Sequence, residues 1–184
     1  MIINIGRELA AGGRAVGKAL AKEMSLTYYD KELLSEAAKA SNFDPNLFAQ
    51  VDEVCNPYMY AIGSGKQELF QIQSQVILQL AEQGNCIFVG RCADYILRDH
   101  PDCLNIFLSC DIDERIHRLE QRMNISSKQA EELIEKTDKQ RAAYYNFYTN
   151  GHWGVASNYD LCINTTHIDI NTIVQLIRHL CENR

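Results

Sequence analysis

Met1-Ile2-Ile3-Asn4-Ile5-Gly6-Arg7-Glu8-Leu9-Ala10-Ala11-Gly12-Gly13-Arg14-Ala15-Val16-Gly17 is the stretch from which the fold is read. An apolar run, Met1 to Ile5, feeds a loop carrying Gly6, Gly12 and Gly13, and a helix-like segment follows. A strand that ends in a glycine-bearing loop and opens a helix aims several backbone N–H groups and the positive helix end at one point, which suits a polyphosphate. The plainer alternative is a strand-to-helix turn built on Gly12-Gly13.

The pattern GxxxxGK[ST], laid on Glu8 to Ala15, puts Glu8 at the first glycine, Gly13 at the second, Arg14 at the lysine and Ala15 at the hydroxyl. Arg14 can pair with phosphate oxygens through its fork of donors. Ala15 cannot ligate magnesium, so a metal there needs water or another side chain. Gly63-Ser64-Gly65-Lys66 looks superficially closer to the pattern. It follows Pro57 and a polar stretch rather than a buried strand, and reads as a flexible loop before a helix.

Short apolar runs recur between longer helical segments: Ile2 to Ile5, Leu26 to Tyr29, Cys86 to Val89, Leu104 to Cys110 and Leu161 to Asn164. Continuous apolar strands with helical crossovers predict a five-stranded parallel sheet covered on both faces, a three-layer α/β/α architecture. Ligands in such sheets sit beyond the carboxyl ends of the strands. There the chain carries the glycine loop, Asp30-Lys31-Glu32, Gly90-Arg91, Asp111 to Arg115 and Thr165-Thr166. The stretch from about 31 to 83 is rich in Leu, Ile, Phe and Tyr and reads as a helical, substrate-covering insertion.

The 184 residues, 46% hydrophobic and 23% charged, fit a single domain over 1–184. A net charge of −6 weighs against nucleic-acid binding, although a local arginine cluster can still hold a small anion. No apolar run approaches the roughly 20 residues of a membrane span. Arg7 and Glu8 interrupt the first apolar run too early for a signal peptide. Seven cysteines without a CxxC pair read as reduced core residues of a cytoplasmic protein, and five histidines without ligand spacing give no reason to expect a metal site.

Arg91 follows a strand at a glycine and can take a phosphate bidentately, or it salt-bridges Asp94 or Asp99. Asp30 can orient a substrate, cap a helix over Lys31 to Ala40, or do both. Arg115, Arg118 and Arg122 share one helical face, which reads as solvated and paired to Glu114 or Glu120. Glu135, Asp138, Lys139 and Arg141 suit a mobile segment that closes over a transferring phosphoryl group, or a plain surface helix. Tyr144, Tyr145, Phe147, Tyr148 and Trp153 have the spacing of packing residues, with stacking on a base as the alternative.

Taken in order, Gly6-Arg7-Glu8 with Gly12-Gly13-Arg14, Tyr29-Asp30-Lys31-Glu32, Val89-Gly90-Arg91-Cys92-Ala93-Asp94, Asp138 to Tyr145 and Ser157 to Asn164 resemble the P-loop nucleoside monophosphate kinases, most closely the cytidylate kinase-like family. The similarity covers nearly the whole chain. It implies a P-loop NTPase-like fold with a lid over about 122–150, ATP and Mg2+ as cofactors, nucleotide substrates, and phosphoryl transfer from ATP to CMP or dCMP. Arg7, Gly12, Gly13, Arg14 and Ala15 would face the donor, and Asp30, Arg91, Asp94 and Asp138 the acceptor. Arg14, Arg91, Lys139 and Arg141 would carry the transfer. Cys92 stands where cytidylate kinases have an aspartate, and Gly6 where a serine is common. Cys92 keeps open a kinase of another small metabolite, and Ala15 a nucleotide-binding module without turnover. Oligomeric state, including a homo-oligomer, stays open.

Overall fold

The computed structural model describes residues 1–30 and 65–184. The expected helix over Lys31 to Ala40, most of the covering insertion, and Gly63 and Ser64 lie outside the described residues. Five parallel strands form one sheet: β1 (Ile2–Arg7), β2 (Thr27–Tyr29), β3 (Cys86–Val89), β4 (Cys103–Ser109) and β5 (Leu161–Asn164), in the spatial order β2-β3-β1-β4-β5. The described helices are α1 (Gly13–Met24), α2 (Gly65–Glu82), α3 (Ala93–Ile96), α4 (Ile112–Met123), α5 (Ser127–Thr149) and α6 (Ile170–Glu182).

Alternation along the strands builds the three layers. Ile3, Ile5, Ile87 and Val89 pack with Val16 and Leu20 of α1 and with Ile173 and Ile177 of α6. Their neighbours Ile2, Cys86 and Phe88 point the other way, onto Val76, Ile77 and Leu80 of α2 and Leu97. Each such Ile or Leu contributes roughly 1.5–3 kcal/mol by leaving water. Gly17 lets α1 lie close on the sheet: a Cβ there would stand 2.9 Å from the Tyr28 ring and 3.1 Å from Val89.

β1 runs two residues beyond the expected end at Ile5, because Gly6 and Arg7 pair in register with Phe107 and Leu108 of β4. β4 begins and ends one residue earlier than its apolar run suggests, and β2 starts at Thr27. Asn4, the polar residue inside the first run, is buried and donates to Asn105 Oδ1 at 2.8 Å. A capping box between Ser126 and Gln129 starts α5. Leu119 of α4 packs on Ala130 and Ile134 of α5, and Leu9 and Ala10 of the loop lean on the same cluster. The far half of α5 packs by its aromatics, Tyr144 and Tyr145 with Phe70 and Cys92, so these residues hold α5 to α2. Phe70 and Tyr148 stack with ring centroids 4.2 Å apart. Among the described residues, no helix is long and apolar enough to cross a membrane.

Candidate active site

Because β1 continues to Arg7, the glycine loop begins at the carboxyl edge of the sheet with Glu8. The Glu8 amide donates to the Leu108 carbonyl at 3.0 Å. Its carboxylate accepts from the Cys110 N–H at 2.9 Å and stands 3.4 Å from Arg115. Glu8 therefore fills the place of a first P-loop glycine by turning its side chain into the protein. The loop passes Ala10 with φ of 63° and reaches Gly12 with φ of 88°, a left-handed conformation that glycine takes without strain. Gly12 caps α1, so the first-turn amides and the positive end of its dipole open beyond the sheet.

A cavity of about 710 Å³ lies over this helix start. The loop residues Gly12, Gly13 and Ala15 form one wall, and Tyr28, Asp30 and Val89 another. Six cationic side chains line it: Arg7, Arg14, Lys18, Arg91, Arg122 and Arg141. Among the described residues, two carboxylates, Glu8 and Asp30, share the lining. In a chain of net charge −6, that concentration of positive charge gives the cavity a potential that favours anions.

Asp30, 6% exposed, accepts from the Tyr28 hydroxyl at 3.3 Å and pairs with Arg14 at 3.2 Å. Burial and then the charge of Asp30 push the Tyr28 phenol up to about 12. Arg91 is also buried, although it carries a guanidinium. Gln73 of α2 grips it at both ends, accepting from Nη1 at 3.4 Å and donating Nε2 to the Arg91 carbonyl at 3.2 Å. The same Nε2 donates to the Tyr144 hydroxyl at 3.0 Å. Gly90, Arg91 and Cys92 are consecutive left-handed residues, with φ of 80°, 65° and 55°. Two of them carry a Cβ, which costs roughly 1–3 kcal/mol each, strain of the kind found where a side chain must be aimed at a ligand.

Of the residues expected to contact ligands, Arg7, Gly12, Gly13, Arg14, Ala15, Asp30, Arg91 and Arg141 line this one cavity. Lys139, Asp138 and Asp94 are placed differently. Lys139 is exposed and off the cavity wall, because Asp138 and Arg141, three apart, take the loop-facing side of α5. Asp138 accepts the Leu9 N–H at 2.8 Å, contacts Arg115, and lies 3.8 Å from Arg141. Asp94 lines an adjoining crevice of about 20 Å³ and accepts from the Tyr145 hydroxyl at 2.8 Å. That bond and burial raise the Tyr145 pKa, with burial the larger cause.

The arginine face of α4 is not the solvated face its sequence suggests. Arg115 is buried against the loop, and Arg118 reaches the loop and Thr165 while also pairing with Glu114 at 2.8 Å. Arg122 lines the cavity, as does Lys18, which the sequence reading passed over. Lys18 stands four residues after Arg14, so helical spacing put it within reach of notice.

Behind the loop, a second cavity of about 660 Å³ is lined by Val16, Ile168, Ile170 and Ile173, with Arg118 and Thr165. Ala10, Gly12, Ala15 and Arg122 border both cavities, so the loop is the ridge between them. Among the described residues at this loop, Ala15 offers no oxygen to a magnesium ion, and the carboxylates of Glu8 and Asp30 are engaged by N–H, hydroxyl and guanidinium groups.

The profile of the cytidylate kinase-like family matches residues 2–167. The chain belongs to this family. Over 188 aligned residues it is 25% identical to the cytidylate kinase of Methanocaldococcus jannaschii, covering all of this chain and 98% of that one. A crystal structure of an uncharacterized protein from Eubacterium ventriosum superposes with a TM-score of 0.81 at 32% identity, covering 100% and 99% of the two chains. Shikimate kinase from Bacteroides thetaiotaomicron shares the fold, with a TM-score of 0.60 at 16% identity over 99% and 98%. Cytidylate kinase-like membership places the chain among kinases of nucleotides or small metabolites.

Proposed function

We propose that this protein transfers the γ-phosphoryl group of ATP to a nucleoside monophosphate, with CMP or dCMP as the acceptor. The observation that carries the reading is the convergence of six cations on one cavity at the start of α1, in a protein that is acidic overall. The apolar second cavity suits the donor's base and ribose, and the triphosphate would cross the ridge at Gly12–Ala15. The acceptor would lie in the first cavity with its phosphate on Arg91 and with Asp30 nearby.

Phosphoryl transfer asks the protein for alignment and charge stabilisation rather than for a nucleophile. Backbone amides at the helix start and the Arg14 guanidinium would take the donor phosphates. Arg91, held by Gln73, would fix the acceptor phosphate in line, and Arg141 would face the equatorial oxygens of the transferring group. Arg141 donates to the Arg7 carbonyl at 3.4 Å, which keeps α5 against the end of β1. Magnesium would arrive with ATP, held by phosphates and water. Lys139 would need a movement of α5 to join the site. Work on free nucleotides fits a cytoplasmic protein.

The test is incubation with Mg-ATP and a panel of nucleoside monophosphates, with ADP release as the signal. ADP formed with CMP or dCMP and not with AMP, GMP or UMP is the expected outcome. ATP uptake without ADP release for any acceptor would refute it.

A further inference from the structure

We infer that Arg115, Arg118 and Thr165 are positioning residues for the phosphate loop, each holding one loop carbonyl away from the first turn of α1. An α-helical amide bonds the carbonyl four residues earlier. If α1 wound backward by one turn, the amides of residues 13, 14 and 15 would therefore close on the carbonyls of Leu9, Ala10 and Ala11. Each of those three carbonyls is instead taken by a side chain. Arg115 Nε donates to Leu9 at 2.7 Å, Arg118 Nη1 to Ala10 at 3.1 Å and Thr165 Oγ1 to Ala11 at 3.1 Å.

The donors come from two separate parts of the fold and are themselves fixed. Arg115 and Thr165 are 6% and 2% exposed. Arg115 lies between the carboxylates of Glu8 and Asp138, and Asp138 also receives the Leu9 N–H. Arg118 ties the group together by donating to the Thr165 hydroxyl at 3.2 Å and the Thr165 carbonyl at 2.9 Å. This rack accounts for a loop that reads Leu9-Ala10-Ala11 where a glycine-rich sequence would hold its shape by backbone preference alone. Diverting the carbonyls keeps α1 from winding back over the floor of the cavity, where an anion would meet the start of the helix.

The inference rests on the proposed function only where ATP is concerned, and the test separates the two. Arg115→Lys keeps the charge beside Glu8 and Asp138 and loses the guanidinium fork; Thr165→Val keeps the shape and loses the hydroxyl. Without nucleotide, hydrogen–deuterium exchange at the amide facing the released carbonyl, residue 13 in Arg115→Lys and residue 15 in Thr165→Val, should slow about tenfold or more, with β3 and α6 unchanged, and faster exchange there would overturn the inference. The Kd for Mg-ATP by calorimetry should rise about tenfold, while that for CMP stays within about twofold. Wild-type exchange at those amides in the variants would overturn the inference. So would faster exchange throughout the sheet, which reports lost global stability. If Arg115→Lys does not fold, Thr165→Val decides. A wild-type protein that takes up no Mg-ATP would sink the proposed function, and the exchange comparison would still judge the rack.

Discussion

Replacing Gln73 by Leu tests whether the acceptor side of the site depends on a residue that touches no substrate. Gln73 is 1% exposed and makes three hydrogen bonds, two with Arg91 and one with Tyr144. Leucine keeps the volume and removes all three. The two neutral hydrogen bonds contribute about 1 kcal/mol each net and the one from the Arg91 guanidinium about 1.5–3 kcal/mol, while leucine regains about 1–2 kcal/mol of apolar contact. The sum centres on a destabilisation of roughly 2–3 kcal/mol, equivalent to a fall in Tm of roughly 4–12 °C in a domain of this size. The functional effect is more specific. A loosened Arg91 should raise the KM for CMP about tenfold, about 1.4 kcal/mol of lost acceptor binding, with the KM for ATP within about twofold. Calorimetric melting and initial rates with each substrate varied in turn provide both readouts. An unchanged KM for CMP in a folded variant would refute the reasoning, and a matching rise in the KM for ATP would move Arg91 to the donor side.

Two further outcomes are expected. Arg141→Ala should lower kcat by about 10³-fold, the scale for an arginine that stabilises transition-state charge, and turnover at the wild-type rate with ATP and CMP would contradict its placement. Tyr28 should titrate at about 12 rather than 10 in absorbance at 295 nm. Its folded pKa lies above the unfolded one, so the folded state holds its proton longer; its contribution is present below about pH 10 and is lost as the pH rises toward 12. Tyr28→Phe should flatten the fall in Tm over that window, and an unaltered slope would count against a Tyr28 phenol raised by burial and by the charge of Asp30.

The strands and the glycine-bearing turn from β1 into α1 were legible because they follow local rules. Cys86–Val89 and Leu161–Asn164 are uninterrupted or nearly uninterrupted runs, and their observed bounds match the reading. The end of β1 was not legible, since Gly6 and Arg7 extend only because β4 offers them partners about 100 residues away. The arginines of α4 failed for the same reason. Helical periodicity shows that Arg115 and Arg118 share a face, but it cannot show that a loop with captive carbonyls lies against it. Glu8 misleads in the opposite direction: as a departure from a glycine it looks like damage, whereas its carboxylate fastens the loop to Cys110 and Arg115. Asp138 and Lys139 are adjacent in sequence, and a rotation of about 100° on a helix is enough to give one the loop and the other the solvent.

The strand order also has a consequence for biosynthesis. β1 lies between β3 and β4, pairing Ile2 with Cys86 on one side and with Cys103 on the other. At translation rates of roughly 5–20 residues per second, the ribosome releases β1 about 5–20 s before β4. Until β3 emerges Ile2, Ile3 and Ile5 have neither flank covered, and until β4 emerges one flank stays open, so the nascent chain carries a bare, sticky edge for most of its synthesis. Slowing synthesis between β1 and β4 should lower the soluble yield more than slowing it after β5.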